Sequence, residues 1–434
     1  MRTAEEAEIV DLAHDGRGVA RLGGKAVFVA GALPGERVLV RRTRQRARHD
    51  EALLVEVLAP AASRIAPLCR HYGRCGGCVL QHLDPAAQVA AKARELGAQL
   101  ERIGKVAPLR SLEPLTGPAY GYRRRARLGV RVLPRTGRAI VGFRERTSPH
   151  LADVRDCPVL APPVGALCEA LGEVIGLLSI ADRVPQIEVA VGEHATVLVL
   201  RVLAPPSAAD LDRLRAFGAA AGVEFWLQPG DAGSAAPLDP PGAVLDYGLP
   251  EFGVTLEFGP LDFVQVNGEL NRRMVGRAVG LLDPGAADAV LDLYCGIGNF
   301  TLPLARRAGR VLGIEGEAGL VARARRNAER NGIGNARFAL ANLAGPLGAE
   351  PWARERFDLV LLDPPRAGAL EVLPLVAASG ARRVVYISCH PASLARDAGI
   401  LVREHGFRLV AAGVMDMFPQ TAHVESLAVF ERTP

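Results

Sequence analysis

Cys389 sits where a thiol could do chemistry. Arg383 to Ser388 reads as a buried strand, and Cys389-His390-Pro391 follows at its end. A thiol on the ligand edge of a sheet is a candidate nucleophile, because the thiolate attacks electron-poor carbon. His390 is a poor base for it, since neighbours on an extended segment point apart. Further on, Phe418-Pro419-Gln420-Thr421-Ala422-His423-Val424-Glu425 leads into a second buried run at Ala428-Val429-Phe430. A carboxyl at that place is costly unless paired or functional. Glu425 is therefore a candidate general base, with His423 as the second possibility.

Two further motifs describe a pocket for a nucleoside-like ligand. Asp292-Leu293-Tyr294-Cys295-Gly296-Ile297-Gly298-Asn299 lies at a strand-to-helix turn, where glycines let the backbone approach a ligand closely. Glu315 ends the next predicted strand, the place for a carboxylate that holds ribose hydroxyls. The pattern is G-x-G-N and offers no pyrophosphate cradle, which favours S-adenosylmethionine over a dinucleotide. Leu361-Leu362-Asp363-Pro364-Pro365-Arg366 ends another buried run, and its two prolines make a rigid shelf beside that pocket.

Cys69, Cys75 and Cys78 crowd into ten residues, which reads as metal binding. Cys157, in Arg155-Asp156-Cys157-Pro158, is the better fourth ligand, because Cys168 lies in an apolar helical run. Four thiolates suit zinc or an iron–sulfur cluster, and the spacing does not choose between them. The chain is also rich in arginine: of 52 basic residues only Lys25, Lys92 and Lys105 are lysines. Arg37, Arg41, Arg42, Arg44, Arg46 and Arg48 form one cluster. Arg123, Arg124, Arg125, Arg127 and Arg131 form another, after Tyr120 and Tyr122. Guanidinium planes and tyrosines suit phosphates and unpaired RNA bases.

The elements that must position these groups fall into three parts. Residues 1 to about 60 hold short strands with glycine turns, as in a small barrel. The cysteine cluster follows, then a helix from Asp84-Pro85 to about Ile103, then mixed strands and a helix near 208–221. The stretch Gly230 to Pro241 reads as a loop. From about 260 strands and helices alternate, as in a doubly wound parallel sheet. The predicted bounds are 1–60, 61–258 and 259–434. The length of 434 residues, with 49% hydrophobic and 23% charged, excludes fibrous and largely disordered chains. No apolar run is long enough to span a membrane, and the first residues lack a signal-peptide core. A cytoplasmic protein is expected, and an odd count of seven cysteines agrees with reduced thiols.

Taken together these motifs resemble the RNA uracil-5 methyltransferase family over nearly the whole chain, in its TRAM-containing branch acting on 23S rRNA. The resemblance implies a multidomain α/β protein. Its parts are an N-terminal OB-like TRAM barrel, a central α+β domain with an iron–sulfur site, and a C-terminal Rossmann-like class I methyltransferase domain. It implies a [4Fe-4S] cluster on Cys69, Cys75, Cys78 and Cys157, with zinc as the lesser alternative. It matches Phe263-Val264-Gln265-Val266-Asn267 to a further family motif. By it Gln265, Tyr294, Asn299, Glu315, Asn342 and Asp363 line the S-adenosylmethionine site. His390 stands where the family usually has Asn before Pro, and Asn342 where an acidic residue is common. The implied reaction is C5 methylation of a uridine through a Cys389–C6 adduct, with Glu425 as base, by a monomer. The alternatives are the same reaction at another rRNA uridine or on tRNA, and a non-catalytic RNA-binding iron–sulfur protein.

Overall fold

The computed structural model describes residues 4–345, 347 and 350–433. The chain opens with β1 (Glu5–Leu12), β2 (Gly18–Leu22), β3 (Lys25–Ala30), β4 (Arg37–Gln45) and β5 (His49–Ala59). These close into a barrel in the order β1-β2-β3-β5-β4. Alternate residues such as Ile9, Ala20, Val27, Val29, Val38 and Val40 fill its interior, the period of two expected of strands with one buried face. Gly18 is required there, since a Cβ would lie 2.7 Å from the Ala32 carbonyl oxygen.

After the cysteine loop, α1 (Pro85–Gln99) starts at Asp84, whose side chain accepts from the Ala86 and Ala87 amides. The helix continues as a π-turn to Gly104. The two-residue β6 (Arg110–Ser111) then joins the edge of the C-terminal sheet. A six-stranded central sheet is built from β7 (Arg125–Val132), β8 (Ala139–Gly142), β9 (Gln186–Val191), β10 (Thr196–Arg201), β11 (Glu224–Gln228) and the short β12 (Ala236–Pro237). Helices α2 (Cys168–Gly176) and α3 (Ala208–Ala221) cover it. The expected loop at 230–241 holds β12 and one helical turn at Ala232–Ser234.

A hairpin of β13 (Leu245–Leu249) and β14 (Val254–Phe258) leads into α4 (Gly268–Leu282). The hairpin shares its core with the C-terminal sheet, as Tyr247, Leu256, Met274 and Val290 pack in one cluster. The remaining strands are β15 (Ala289–Leu293), β16 (Arg310–Glu315), β17 (Ala336–Leu340), β18 (Leu359–Leu362), β19 (Arg383–Ser388), β20 (Phe407–Met415) and β21 (Glu425–Arg432). Between them run α5 (Thr301–Ala305), α6 (Ala318–Arg330), α7 (Leu373–Ala378) and α8 (Pro391–Arg403).

The sheet order is β17-β16-β15-β18-β19-β21-β20-β6. The first five strands are parallel and β21 is antiparallel to both neighbours. Leu359-Val360-Leu361-Leu362 is buried throughout, as a strand covered on both faces must be. Helix α1 packs with α8 against one of those faces. In such a sheet ligands bind where the parallel strands end, and β15, β16, β18 and β19 all end on that edge.

Candidate active site

The register of the sheet brings the two central groups together. Ile387 pairs with Leu427 and Ser388 with Ser426, so the next position places Cys389 opposite Glu425. Directly opposed residues on antiparallel strands have Cα atoms roughly 5 Å apart and side chains on one face. Glu425 is the first residue of β21, pairs with Met415, and is buried at 3% exposure. Its carboxyl accepts no hydrogen bond among the described residues. Burial, and then the charge of Asp363, raise it well above the ordinary carboxyl range. The Cys389 thiol is pushed up to about 11 by burial and by the Glu425 and Asp363 charges, which Arg366 partly offsets. Three acids thus lie close enough to feel one another's charge and do not readily all ionise together.

His390 does not face Cys389 as a base. Its Nδ1 caps α8, 3.3 Å from the Ser393 amide and 2.8 Å from the Ser393 hydroxyl. His423 lies at the cavity rim, its Nδ1 3.3 Å from an Arg366 guanidinium nitrogen and its ring against Phe418. Burial and nearby cations lower it, so it is a weak base.

Asp363 follows β18, and burial pushes it up to about 7. The Gln265 side-chain amide reaches it at 3.4 Å. At the glycine turn Tyr294 has φ 66 and Gly298 φ 95, left-handed backbone of the kind that collects at functional sites. Space over Gly296 is open, since an added Cβ there would meet nothing within 4 Å. Glu315 accepts from the Gly296, Gly316 and Glu317 amides at 3.0, 2.7 and 3.1 Å, so its carboxylate is fixed at the end of β16. Asn342 is exposed on the loop after β17, its oxygen taken by the Ala344 amide at 3.1 Å. Asp292 is wholly buried; burial pushes it up to about 8, and one of its oxygens has no partner. Asn299 is held by the Tyr247 hydroxyl (2.9 Å) and by a double amide bond to Asn271 (3.0 Å each). An open glycine turn, a fixed carboxylate and an unpartnered buried oxygen suit a nucleoside ligand with donor groups.

Tyr247 and Asn271 carried no motif in the sequence. Arg124 did, but in another role. The second arginine cluster was expected to face RNA as a group, and Tyr122 and Arg124 correct this. Arg124 is buried at 7% exposure, stacked 4.3 Å over the Tyr247 ring, and donates to the Gln265 carbonyl at 2.8 Å. Tyr122 is buried and donates to the Pro419 carbonyl at 2.9 Å. The alternation Tyr122, Arg124, Ala126, Leu128, Val130 marks one inward face, a signal present in the sequence. Arg127 and Arg131 point outward. In the barrel Arg37, Arg41, Arg44, Arg46 and Arg48 are exposed, while Arg42 is tied to Glu5 and Asp50.

Cys69, Cys75, Cys78 and Cys157 are free, half-buried, and line one cavity of about 740 Å³ together with Cys389, His423 and the barrel residue His14. Burial, then charge on neighbouring thiols, pushes Cys75 up to about 11 and Cys78 up to about 12. The Gly77 amide donates to the Cys75 sulfur at 3.4 Å, and nearby backbone amides oppose the upward push of burial on Cys69 and Cys157. Gly165 must be glycine, since a Cβ would lie 2.5 Å from the Cys157 carbonyl oxygen. Among the described residues no three metal-binding side chains converge tightly enough to hold a single ion. Cys168 is buried in the core, as expected.

A doubly wound sheet with an antiparallel end and an open glycine turn on its carboxyl edge defines a Rossmann-like methyltransferase fold, here joined to a small barrel. Comparison with known proteins gives the family. A model described as tRNA (Uracil-5-)-methyltransferase matches residues 256–345 and 352–433, and one described as TRAM domain matches residues 2–47. The chain belongs to the uracil-5 methyltransferase family. It is 56% identical to the 23S rRNA (uracil(1939)-C(5))-methyltransferase RlmD of Alkalilimnicola ehrlichii, over 98% of this chain and 96% of that one. It is 51% identical to the protein of the same name from Stenotrophomonas maltophilia, over 99% and 98% of the two chains. The fold matches a solved structure of Pyrococcus abyssi tRNA (uracil-54, C5)-methyltransferase with S-adenosyl-L-homocysteine. There the TM-score is 0.75 with 23% identity, covering 98% of this chain and 100% of that one.

Proposed function

We propose that this chain methylates C5 of a uridine in 23S rRNA, with S-adenosylmethionine as methyl donor and a transient Cys389–C6 bond. The carrying observation is the register that sets Cys389 opposite Glu425 on the edge that holds the glycine turn. When bound, S-adenosylmethionine supplies an electrophilic methyl group. Gln265, Tyr294, Asn299, Glu315, Asn342 and Asp363 are the residues assigned to hold it; Tyr294, Glu315, Asn342 and Asp363 stand at or just past the ends of the parallel strands, Gln265 before α4 and Asn299 before α5.

Uracil C5 is a weak nucleophile. Addition of the Cys389 thiolate to C6 turns the ring into an enolate and gives C5 its electron density. Asp363, Gln265 and Arg366 stand where they can orient the ring or the enolate oxygen. After C5 is methylated, Glu425 takes the C5 proton and Cys389 leaves, restoring the ring double bond. Burial suits Glu425 to this step, because a carboxylate that is costly to keep charged is a strong base. The target base must leave its stack to reach the cavity.

Cys69, Cys75, Cys78 and Cys157 are proposed to hold a [4Fe-4S] cluster. The all-thiol donor set, and the Gly77 amide on the Cys75 sulfur, support a thiolate-ligated centre. The barrel and its exposed arginines are proposed to bind rRNA, the unit bounds are 1–60, 61–258 and 259–434, and the protein acts as a cytoplasmic monomer. No described helix is long and apolar enough to cross a membrane.

The test is incubation of the purified protein with unmodified 23S rRNA and methyl-labelled S-adenosylmethionine, followed by mapping of the label. Label at C5 of one uridine, lost in Cys389→Ala, is expected. Methyl transfer that survives in Cys389→Ala would refute the covalent route.

A further inference from the structure

Residues 416–424 form a strap between β20 and β21, and it is pinned mainly from the N-terminal third of the chain. Gln420, at its middle, is buried and left-handed (φ 68) although it is not glycine. Its carbonyl accepts from the amides of Val79 (2.9 Å) and Leu80 (3.0 Å), the two residues that follow Cys78. Its own amide donates to Gln88 Oε1 at 2.9 Å. Gln88 Nε2 donates to Gln420 Oε1 (3.0 Å) and to the carbonyls of Leu80 (3.0 Å) and Leu83 (2.8 Å). One turn further along α1, Lys92 binds Asp416 at 2.6 Å and the Phe418 carbonyl at 2.9 Å. Gln88 is 1% exposed, so its amide has no water to turn to if these partners are lost.

The two reacting side chains differ in what fixes them. Cys389 lies just past the last β19–β21 pair, Ser388–Ser426, and is held on its other side by the start of α8, whose cap His390 is one residue later. Glu425 forms the last pair of the β20–β21 ladder, and ladder ends fray. The strap alone continues beyond it.

We infer that Gln88 is a positioning residue for the C5-proton base. It fastens the segment after the cysteine cluster to the strap that delivers Glu425, so that an ordered cysteine loop is needed for proton removal but not for the Cys389–C6 bond. This rests on the proposed function above. It also gives the cysteine site a part in a reaction that transfers no electron. Displacement of a catalytic group by about 1 Å costs on the order of a hundredfold. A loosened strap therefore slows the last step, in which the C5 proton passes to Glu425, the C6–S bond breaks and the ring double bond returns. The methylated protein–RNA adduct should then accumulate.

The test uses the full chain with its metal loaded and 23S rRNA tritiated at uridine C5. Three quantities are read: tritium release, methyl label on RNA, and protein–RNA complex that survives denaturant. Gln88→Leu is expected to release tritium at least roughly tenfold more slowly. It should build up methylated covalent complex while keeping wild-type iron content, and the 416–424 amides should exchange hydrogen faster. Gln420→Gly keeps the backbone carbonyl and takes φ 68 without strain, so it should show the same trapping more weakly. It decides the matter if Gln88→Leu does not fold. Glu425→Gln is the control and should trap the same complex. If it does, while the folded clamp variant releases tritium at the wild-type rate, the inference is overturned. If Glu425→Gln does not trap, the assignment of the base fails instead.

Discussion

At the residue scale the site is a problem of three acids in one place. Asp363, Cys389 and Glu425 are each raised first by burial; the Asp363 charge then raises Glu425, and the Glu425 and Asp363 charges raise Cys389. A raised thiol is mostly protonated near neutral pH, so its alkylation should speed up as pH rises towards about 11. Glu425→Gln removes one neighbouring negative charge, and that charge disfavours the thiolate. The alkylation midpoint of Cys389 should therefore move to lower pH in Glu425→Gln. Iodoacetamide labelling followed by peptide-resolved mass spectrometry measures this. An unchanged or higher midpoint would mean that the two groups do not interact.

Elements fix these residues by pairing and by buried polar contacts. The Lys92–Asp416 pair joins α1 to the strap at 3% and 8% side-chain exposure. Burial lowers Lys92, and the Asp416 charge opposes that. Lys92→Met leaves a buried carboxylate without its partner, which costs roughly 3–5 kcal/mol. The double variant Lys92→Met with Asp416→Leu should recover most of that loss, since neither charge then remains. Thermal unfolding of the four proteins checks this, and an additive double variant would show that the pair does not couple. The partners of the strap, the helix α4 and the strand β20 are where sequence reading fell short. The patterns of α4 and β20 are ordinary, and the strap's motif does not reveal what holds it, because its partners lie far along the chain.

For the whole molecule, one cavity joins the barrel residue His14, the cysteine loop and Cys389, and the proposed rRNA substrate is expected to enter there. Exposed Arg41, Arg44 and Arg48 on the barrel are expected to touch phosphates. Replacing all three with Ala should weaken rRNA binding and flatten its dependence on salt. The loss should be about 0.7 in log–log slope for each contact removed on single-stranded RNA. The maximal rate at saturating rRNA should hold, because these residues do not touch the reacting base. Affinity titrations at several salt concentrations, paired with steady-state kinetics, separate the two effects. Loss of maximal rate with intact affinity would count against the barrel as a docking module.

Local chemistry was legible without any structure. The glycine turn at 296–298, the proline shelf after Asp363, the thiol at a strand end and the tight cysteine spacing are set by neighbours in sequence. They are set there because turn geometry and ligand spacing act over a few bonds. Tertiary structure alone decided which groups meet. A strand register put Cys389 across from Glu425. Packing under the hairpin turned Arg124 inward, over the Tyr247 ring. Buried hydrogen bonds tied Gln420 to Gln88 and to the backbone after Cys78. Such contacts join segments up to hundreds of residues apart, and they form because buried polar groups must find partners wherever the folded chain brings them.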